Sequence, residues 1–356
     1  MMHARLDSIQ VLRAIAALSV VLYHSHFVVN PFPPEYKINI PFIYSYGYLG
    51  VDLFFAISGF IIYHITNGKT LNTAEFISKR FFRIYPVYWI FCLLSFYLYT
   101  NNGLHFGPKE FDIENLLLSM AIFPLQGSPA YGVGWSLEHE IIFYVIAALV
   151  IPALKHRGLI TILTLLGAVG LIKEMLTATG AIPKFWDYHL LSPFFLSFAA
   201  GMAAYRVSVA SKTNFATLTA AAIIAVLATA LLMNYGSTQA RIFARYAMVA
   251  ISCGLVVASA VAFESTKIHI PAQLKAPIIA IGNASYSLYL VHWVILINMG
   301  RLKYKVAYGV PDWAAELWRF ALIAACIAIA LAMYKFIEKP LNSRASSALK
   351  LIAKKA

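Results

Sequence analysis

Seven ionisable side chains stand where a chain of this kind can least afford them. Arg13, His24, Asp52, Arg80, Arg83, Glu140 and His292 all lie within or at the ends of long apolar runs. Such groups are costly at membrane depth and mark a functional site by default. A buried imidazole such as His24 can act as a base. A guanidinium offers a planar fork that fits phosphate in two places. Arg13 and His24 are eleven residues apart. On a helix that spacing returns to the same face, about 16 Å along the axis. Each also has a purely structural reading: snorkelling for Arg13 and a helix–helix hydrogen bond for His24. His26 falls on another face.

The other candidates occur in short, dense stretches. GYLGVDLFFAISGF carries Asp52, which either orients an imidazole or caps a helix start. KRFFRIYP carries Lys79, Arg80 and Arg83, with the two arginines on one helical face. They read as a cationic mouth for a phosphorylated donor or as a lipid anchor. WSLEHEIIFY carries Glu138, His139 and Glu140. Interfacial exposure is expected for the first two, and an inward-facing role for Glu140. SYSLYLVHW places Tyr286, Tyr289 and His292 near one face, and Tyr289 and His292 are candidate substrate-binding residues.

These residues need a scaffold. The chain has 356 residues, 61% hydrophobic and 12% charged, with mean hydropathy +0.73. About a quarter charged is usual for a soluble domain, so a globular cytosolic enzyme and a disordered chain are both excluded. The expected fold is all-α: a polytopic integral membrane helical bundle of about ten transmembrane helices. The spans fall near 9–29, 48–66, 84–100, 136–154, 158–175, 189–206, 215–234, 245–263, 278–299 and 315–338. A shorter apolar segment, 115–125, ends in Pro124 and reads as re-entrant or peripheral. The first run is long for a signal peptide and reads as a retained helix. One membrane domain covers 1–356, with a basic cytoplasmic tail at about 339–356.

Net charge is +13, but the bases sit in short loops between apolar runs. That pattern indicates membrane lipid and not nucleic acid. With the N-terminus inside, 16 lysines and arginines fall in inner loops and 9 in outer loops. Arg13, Arg319 and Lys335 lie within spans. The bias places both termini in the cytoplasm. It also sorts the polar groups: His24, Asp52, Glu140 and His292 towards the outer face, and Arg13, Arg80 and Arg83 towards the inner. Cys92, Cys253 and Cys326 sit in apolar runs at no metal-binding spacing, and no metal is expected. Trans-bilayer group transfer and proton-coupled transport both suit this division.

SIQVLRAIAALSVVLYH, GYLGVDLFFAISGFII, KRFFRIYPVYW, GWSLEHEIIFY, SYSLYLVH and IEKPL occur in that order over nearly the whole chain. The set resembles the membrane-bound acyltransferase 3 family, and the opening resembles its ExoZ-like, exopolysaccharide-modifying branch. The resemblance implies a bacterial inner-membrane enzyme moving an acetyl group from acetyl-CoA to a hydroxyl of an extracytoplasmic or lipid-linked sugar polymer. It makes Arg13 and His24 the hallmark pair and Arg80 and Arg83 the arginines after the second helix. Ser58, Gly59 and Phe60 match the family's SGF stretch. Glu140 holds the family's Glu position, while Glu138 and His139 depart from the pattern. With Asp52 added for its expected depth beside His24, the expected catalytic residues are His24, Asp52 and Glu140, and the expected acetyl-CoA-binding residues are Arg13, Arg80 and Arg83. Another acyl group such as succinyl, or a transporter of sugar or acyl donor, is the alternative.

Overall fold

The computed structural model describes residues 6–29, 45–104, 106–108, 111–210, 214–266, 268, 270–306, 312–344 and 347. The expected outer loop 30–44, with Lys37, and most of the basic tail lie outside the described residues. Every regular element among the described residues is helical. The helices are α1 (Asp7–Val29), α2 (Gly50–Thr66), α3 (Thr73–Asn102), α4 (Ile113–Met120), α5 (Trp135–Ala178) and α6 (Phe195–Tyr205). They continue with α7 (Phe215–Tyr235), α8 (Thr238–Phe263, with a π-turn at Ala244–Met248), α9 (Ala272–Asn283), α10 (Ser285–Val306) and α11 (Asp312–Met333).

Seven helices among the described residues are long and apolar enough to cross a membrane, or eight with the bent pair α9–α10 counted as one span. Three features separate this number from the expected ten. The segments 136–154 and 158–175 run together in the 44-residue α5. A straight helix of that length would rise about 66 Å, roughly twice a bilayer's hydrocarbon thickness. Lys155, at φ 56° and ψ −170°, breaks it into arms of ordinary span length, just after Pro152. The expected span 189–206 is shortened to α6. Pro183, Pro193 and Asp187 keep the preceding stretch out of helix, and Asp187 Oδ1 accepts from the His189 backbone N–H at 3.2 Å. The expected span 278–299 is bent by 67° between α9 and α10.

α4, at eight residues, is too short to cross. Asp112 caps its start, accepting from the Asn115 N–H at 2.7 Å. Side chains of α3 satisfy its terminal carbonyls: Trp89 Nε1 donates to Met120 O at 2.8 Å and Tyr85 Oη to Ala121 O at 3.0 Å.

The described residues group into two compact units. The first comprises Met1–Arg13, Val51–Phe76 and His139–Ile279, and the second Ala14–Gly50, Ile77–Glu138 and Ala280–Ala356. In the first unit small residues let helices approach closely. A Cβ on Gly201 of α6 would lie 1.8 Å from Ala56 O, and one on Gly59 of α2 would lie 2.1 Å from Phe198 O. Hydroxyls join α7 to α8, with Thr219 to Ser259 at 2.7 Å and Thr229 to Ser252 at 3.0 Å. Both devices suit helix association in lipid, where apolar burial gives little advantage. Leu149, Ile224 and Leu227 are exposed, as expected of side chains that face acyl chains. In the second unit, α10 and α11 pack together, and Ser287 Oγ donates to Glu338 Oε2 at 2.6 Å.

Candidate active site

The second unit brings two of the predicted histidines together. His24 on α1 and His292 on α10 meet through Nδ1 and Nε2 at 3.0 Å. Their rings lie 24° from coplanar with centroids 5.1 Å apart, so they meet edge to edge. His292 is fully buried, and its Nδ1 is 3.2 Å from Leu288 O. The Tyr23 and Trp293 rings each present an edge contact to His24 at 5.1 Å. His26, two residues on, turns its Nδ1 to the carbonyl of Tyr23.

Several hydrogen bonds hold α10 at this level. Tyr289 Oη is 2.8 Å from Ser136 Oγ and donates to Val133 O at 3.1 Å. The sequence offers Tyr289 as a substrate-binding candidate, and here its hydroxyl braces a helix. Tyr131 Oη donates to Leu290 O at 2.5 Å and accepts from the Val294 N–H at 3.2 Å. Trp293 Nε1 donates to Phe106 O at 2.8 Å. Tyr286 Oη donates to Ile84 O at 2.7 Å, tying α10 to the part of α3 that carries Arg83. Arg80 and Arg83, one turn apart on α3, are half-buried, whereas Lys79 is exposed. That difference sets the two arginines apart from an ordinary surface lysine.

The first unit holds the remaining candidates. Ser58 of the SGF stretch donates to Glu140 Oε1 at 3.1 Å and lies 3.2 Å from Tyr144 Oη, which itself bonds Glu140. The serine therefore acts locally and, with Tyr144, fixes one oxygen of the Glu140 carboxylate. Gly59 permits the close crossing with α6 described above. Asp52 on α2, 1% exposed, receives Arg245 Nη1 on Oδ1 at 3.1 Å. Its Oδ2 has no hydrogen-bond partner among the described residues. Arg245 rides on the π-turn of α8, with its guanidinium 5.3 Å from the Phe194 ring and 5.0 Å from that of Tyr246. Arg13 is half-buried, with Nη1 3.4 Å from Gln10 Oε1.

Two expectations change here. Glu138 and His139 are 2% and 3% exposed where exposure is expected, and Glu140 is the least buried of the three. The turn at Gly132–Gly134 brings the chain against Tyr88, where a Cβ on Gly134 would sit 2.1 Å from the tyrosine oxygen. Helix α5 therefore starts already buried. His139 lies against His189 at 4.2 Å and Phe194 at 5.1 Å, ring centre to ring centre. Sequence reasoning also missed two charged pairs. Arg245 counts as an outer-loop residue by charge, although its place at the start of an apolar run is a usable signal. Arg319 on α11, assigned only to a span, is fully buried and meets Glu316 at 2.5 Å. Their i, i+3 spacing was the signal available. Among the described residues no group of three or more His, Cys, Asp or Glu is placed to hold a metal ion.

The long apolar helices and the polar residues buried among them are those of an integral membrane protein. Residues 6–335 match the model of the acyltransferase domain of the acyltransferase 3 family, and the chain belongs to that family. The chain is 26% identical over 324 residues to the exopolysaccharide production protein ExoZ of Rhizobium meliloti, covering 85% of this chain and 91% of ExoZ. It is 25% identical to the O-acetyltransferase OatA of Staphylococcus aureus, covering 97% of this chain but only 58% of OatA. Protein 2 in the picA locus of Rhizobium radiobacter is 30% identical over 164 residues, or 37% of this chain and 74% of that protein. No solved structure matches the chain.

Proposed function

We propose that this acyltransferase moves an acetyl group from cytoplasmic acetyl-CoA to a hydroxyl of an extracytoplasmic or lipid-linked exopolysaccharide sugar. In this reading it is one membrane domain of the bacterial inner membrane with both termini cytoplasmic. The observation that carries it is the pairing of half-buried His24 with buried His292 in a member of an acyltransferase family. The names of ExoZ and OatA favour acetyl as the group and a polysaccharide as the acceptor.

In this reading Arg80 and Arg83 take the phosphates of CoA, with Arg13 as a further guanidinium on the donor side. The pantetheine arm carries the thioester towards His24. There the imidazole removes the proton of the sugar hydroxyl as its oxygen attacks the carbonyl carbon, or is acylated first and passes the acetyl on. Glu140 and Asp52 are carboxylates held in defined orientations by Ser58 and Tyr144 and by Arg245.

The test is chemical acetyl analysis of the isolated glycan from cells carrying each variant, with protein amount checked by blot. His24→Ala and His24→Asn are expected to lose about 10²–10⁴ in rate, the usual worth of a general base. His26→Ala is expected to stay active. In membrane vesicles, Arg83→Ala should raise the acetyl-CoA KM more than Arg344→Ala does. Near-normal acetylation by His24→Ala at normal protein level would remove the catalytic assignment.

A further inference from the structure

We infer that His292 is a positioning residue that fixes the tautomer of His24, making Nε2 of His24 the nitrogen that meets the substrate. The inference rests on the reading of His24 given above, and gives His292 a role other than binding sugar.

The direction of the hydrogen bonds follows from which groups can donate. A backbone carbonyl only accepts, so the contact of His292 Nδ1 with Leu288 O at 3.2 Å requires a proton on Nδ1. A neutral His292 then carries its lone pair on Nε2. That atom lies 3.0 Å from Nδ1 of His24, which must donate. His24 therefore holds its proton on Nδ1 and its lone pair on Nε2. The edge-to-edge arrangement of the rings suits an N–H···N bond. The opposite tautomer of His24 would set two lone pairs against each other.

His292 is fitted for this role and poorly fitted for touching substrate. It is 0% exposed, so no surface remains for a sugar or a thioester. Its place on α10 is held from both sides by Tyr131 on Leu290 and Val294, by Tyr289 on Val133, and by Trp293 on Phe106. This is the arrangement by which an outer partner orients a reacting imidazole.

The proton balance closes on one atom. His24 Nε2 takes the hydroxyl proton while the sugar oxygen bonds to the thioester carbonyl carbon. The C–S bond then breaks, and the departing sulfur takes the proton back from Nε2, leaving CoA as its thiol. Meanwhile Nδ1–H of the charged ring keeps its acceptor in His292. If His24 is acylated first, the same nitrogen is the nucleophile, so the tautomer requirement holds for both routes.

The experiment uses the full-length protein in membrane vesicles, with labelled acetyl-CoA and polysaccharide extracted from a strain lacking this protein. Gln can place its amide oxygen near the position of Nε2, whereas Leu offers no acceptor. His292→Leu is expected to lower kcat by about 10–100-fold, the usual effect of losing an orienting partner, with the acetyl-CoA KM unchanged. His292→Gln is expected to recover most of that loss. Asn, whose shorter amide stops near the Nδ1 position, replaces Leu in the comparison if the Leu variant fails to insert. Equal activity of Gln and the acceptor-less variant at equal protein level would overturn the inference, as would an effect confined to the polysaccharide KM. His24→Asn is measured alongside. If it remains active, the reading of His24 falls and takes this inference with it. If it is dead while every His292 variant matches wild type, the inference alone fails.

Discussion

Asp52 shows how much a single residue's partner decides. Taken from the sequence alone, it is a carboxylate at the right place to orient an imidazole. In the structure its Oδ1 is bound by Arg245 from the π-turn of α8. Removing one member of a buried ion pair strands the other charge, at a cost of about 3–5 kcal/mol. Arg245→Met should therefore lower the thermal stability of the detergent-purified protein more than the double change Asp52→Asn with Arg245→Met. Melting followed by size-exclusion fluorescence checks the order, and an equal loss in both would show that the pair is not what Arg245 supplies. The residues legible from sequence were those whose type is wrong for lipid: His24, Asp52 and His292 stand out for that reason alone. Their partners did not, because a span's hydropathy says nothing about which helix faces it. Arg245 lies 193 positions from Asp52, and His292 lies 268 from His24.

At the scale of elements, apolar length located nearly every helix but not how each one ends or bends. The positive φ at Lys155, the shortening of α6 and the bend between α9 and α10 depend on local backbone competition that a hydropathy window averages away. Glycine carries the opposite lesson. Gly59 belongs to the family's SGF stretch, and its position is explained by a helix crossing, as is that of Gly201. Overpacking of this kind typically costs about 1–3 kcal/mol. Gly201→Leu should lower the melting temperature and the yield of inserted protein, while Gly68→Ala, in open space though at φ 72°, should cost less. Thermal melts of the two purified variants decide it. A Gly201→Leu protein as stable as wild type would mean that α2 and α6 do not cross this closely.

For the whole molecule, the all-helical membrane character was fully legible, since composition alone forbids a soluble core of this size. Orientation rests on the imbalance of 16 inner against 9 outer basic residues. A reporter active only in the cytoplasm, fused after Ala356, should give signal. Silence there, with activity from a periplasmic reporter, would invert the two faces and with them the donor and acceptor sides. The inversion would leave the pairing of His24 with His292 untouched, so catalysis and orientation can be tested separately.

The break in α5 also bears on how the chain enters the bilayer during synthesis. Its arms, 135–154 and 156–178, are joined by a single non-helical residue. With one residue between them the arms have little slack to settle separately, so their entry into lipid should be coupled. Lys155 and Arg157 sit at the break. Holding either at the centre of a membrane helix would cost about 2.5–3.5 kcal/mol on insertion scales. The break should therefore settle at a face of the bilayer, which ties the placement of one arm to that of the other.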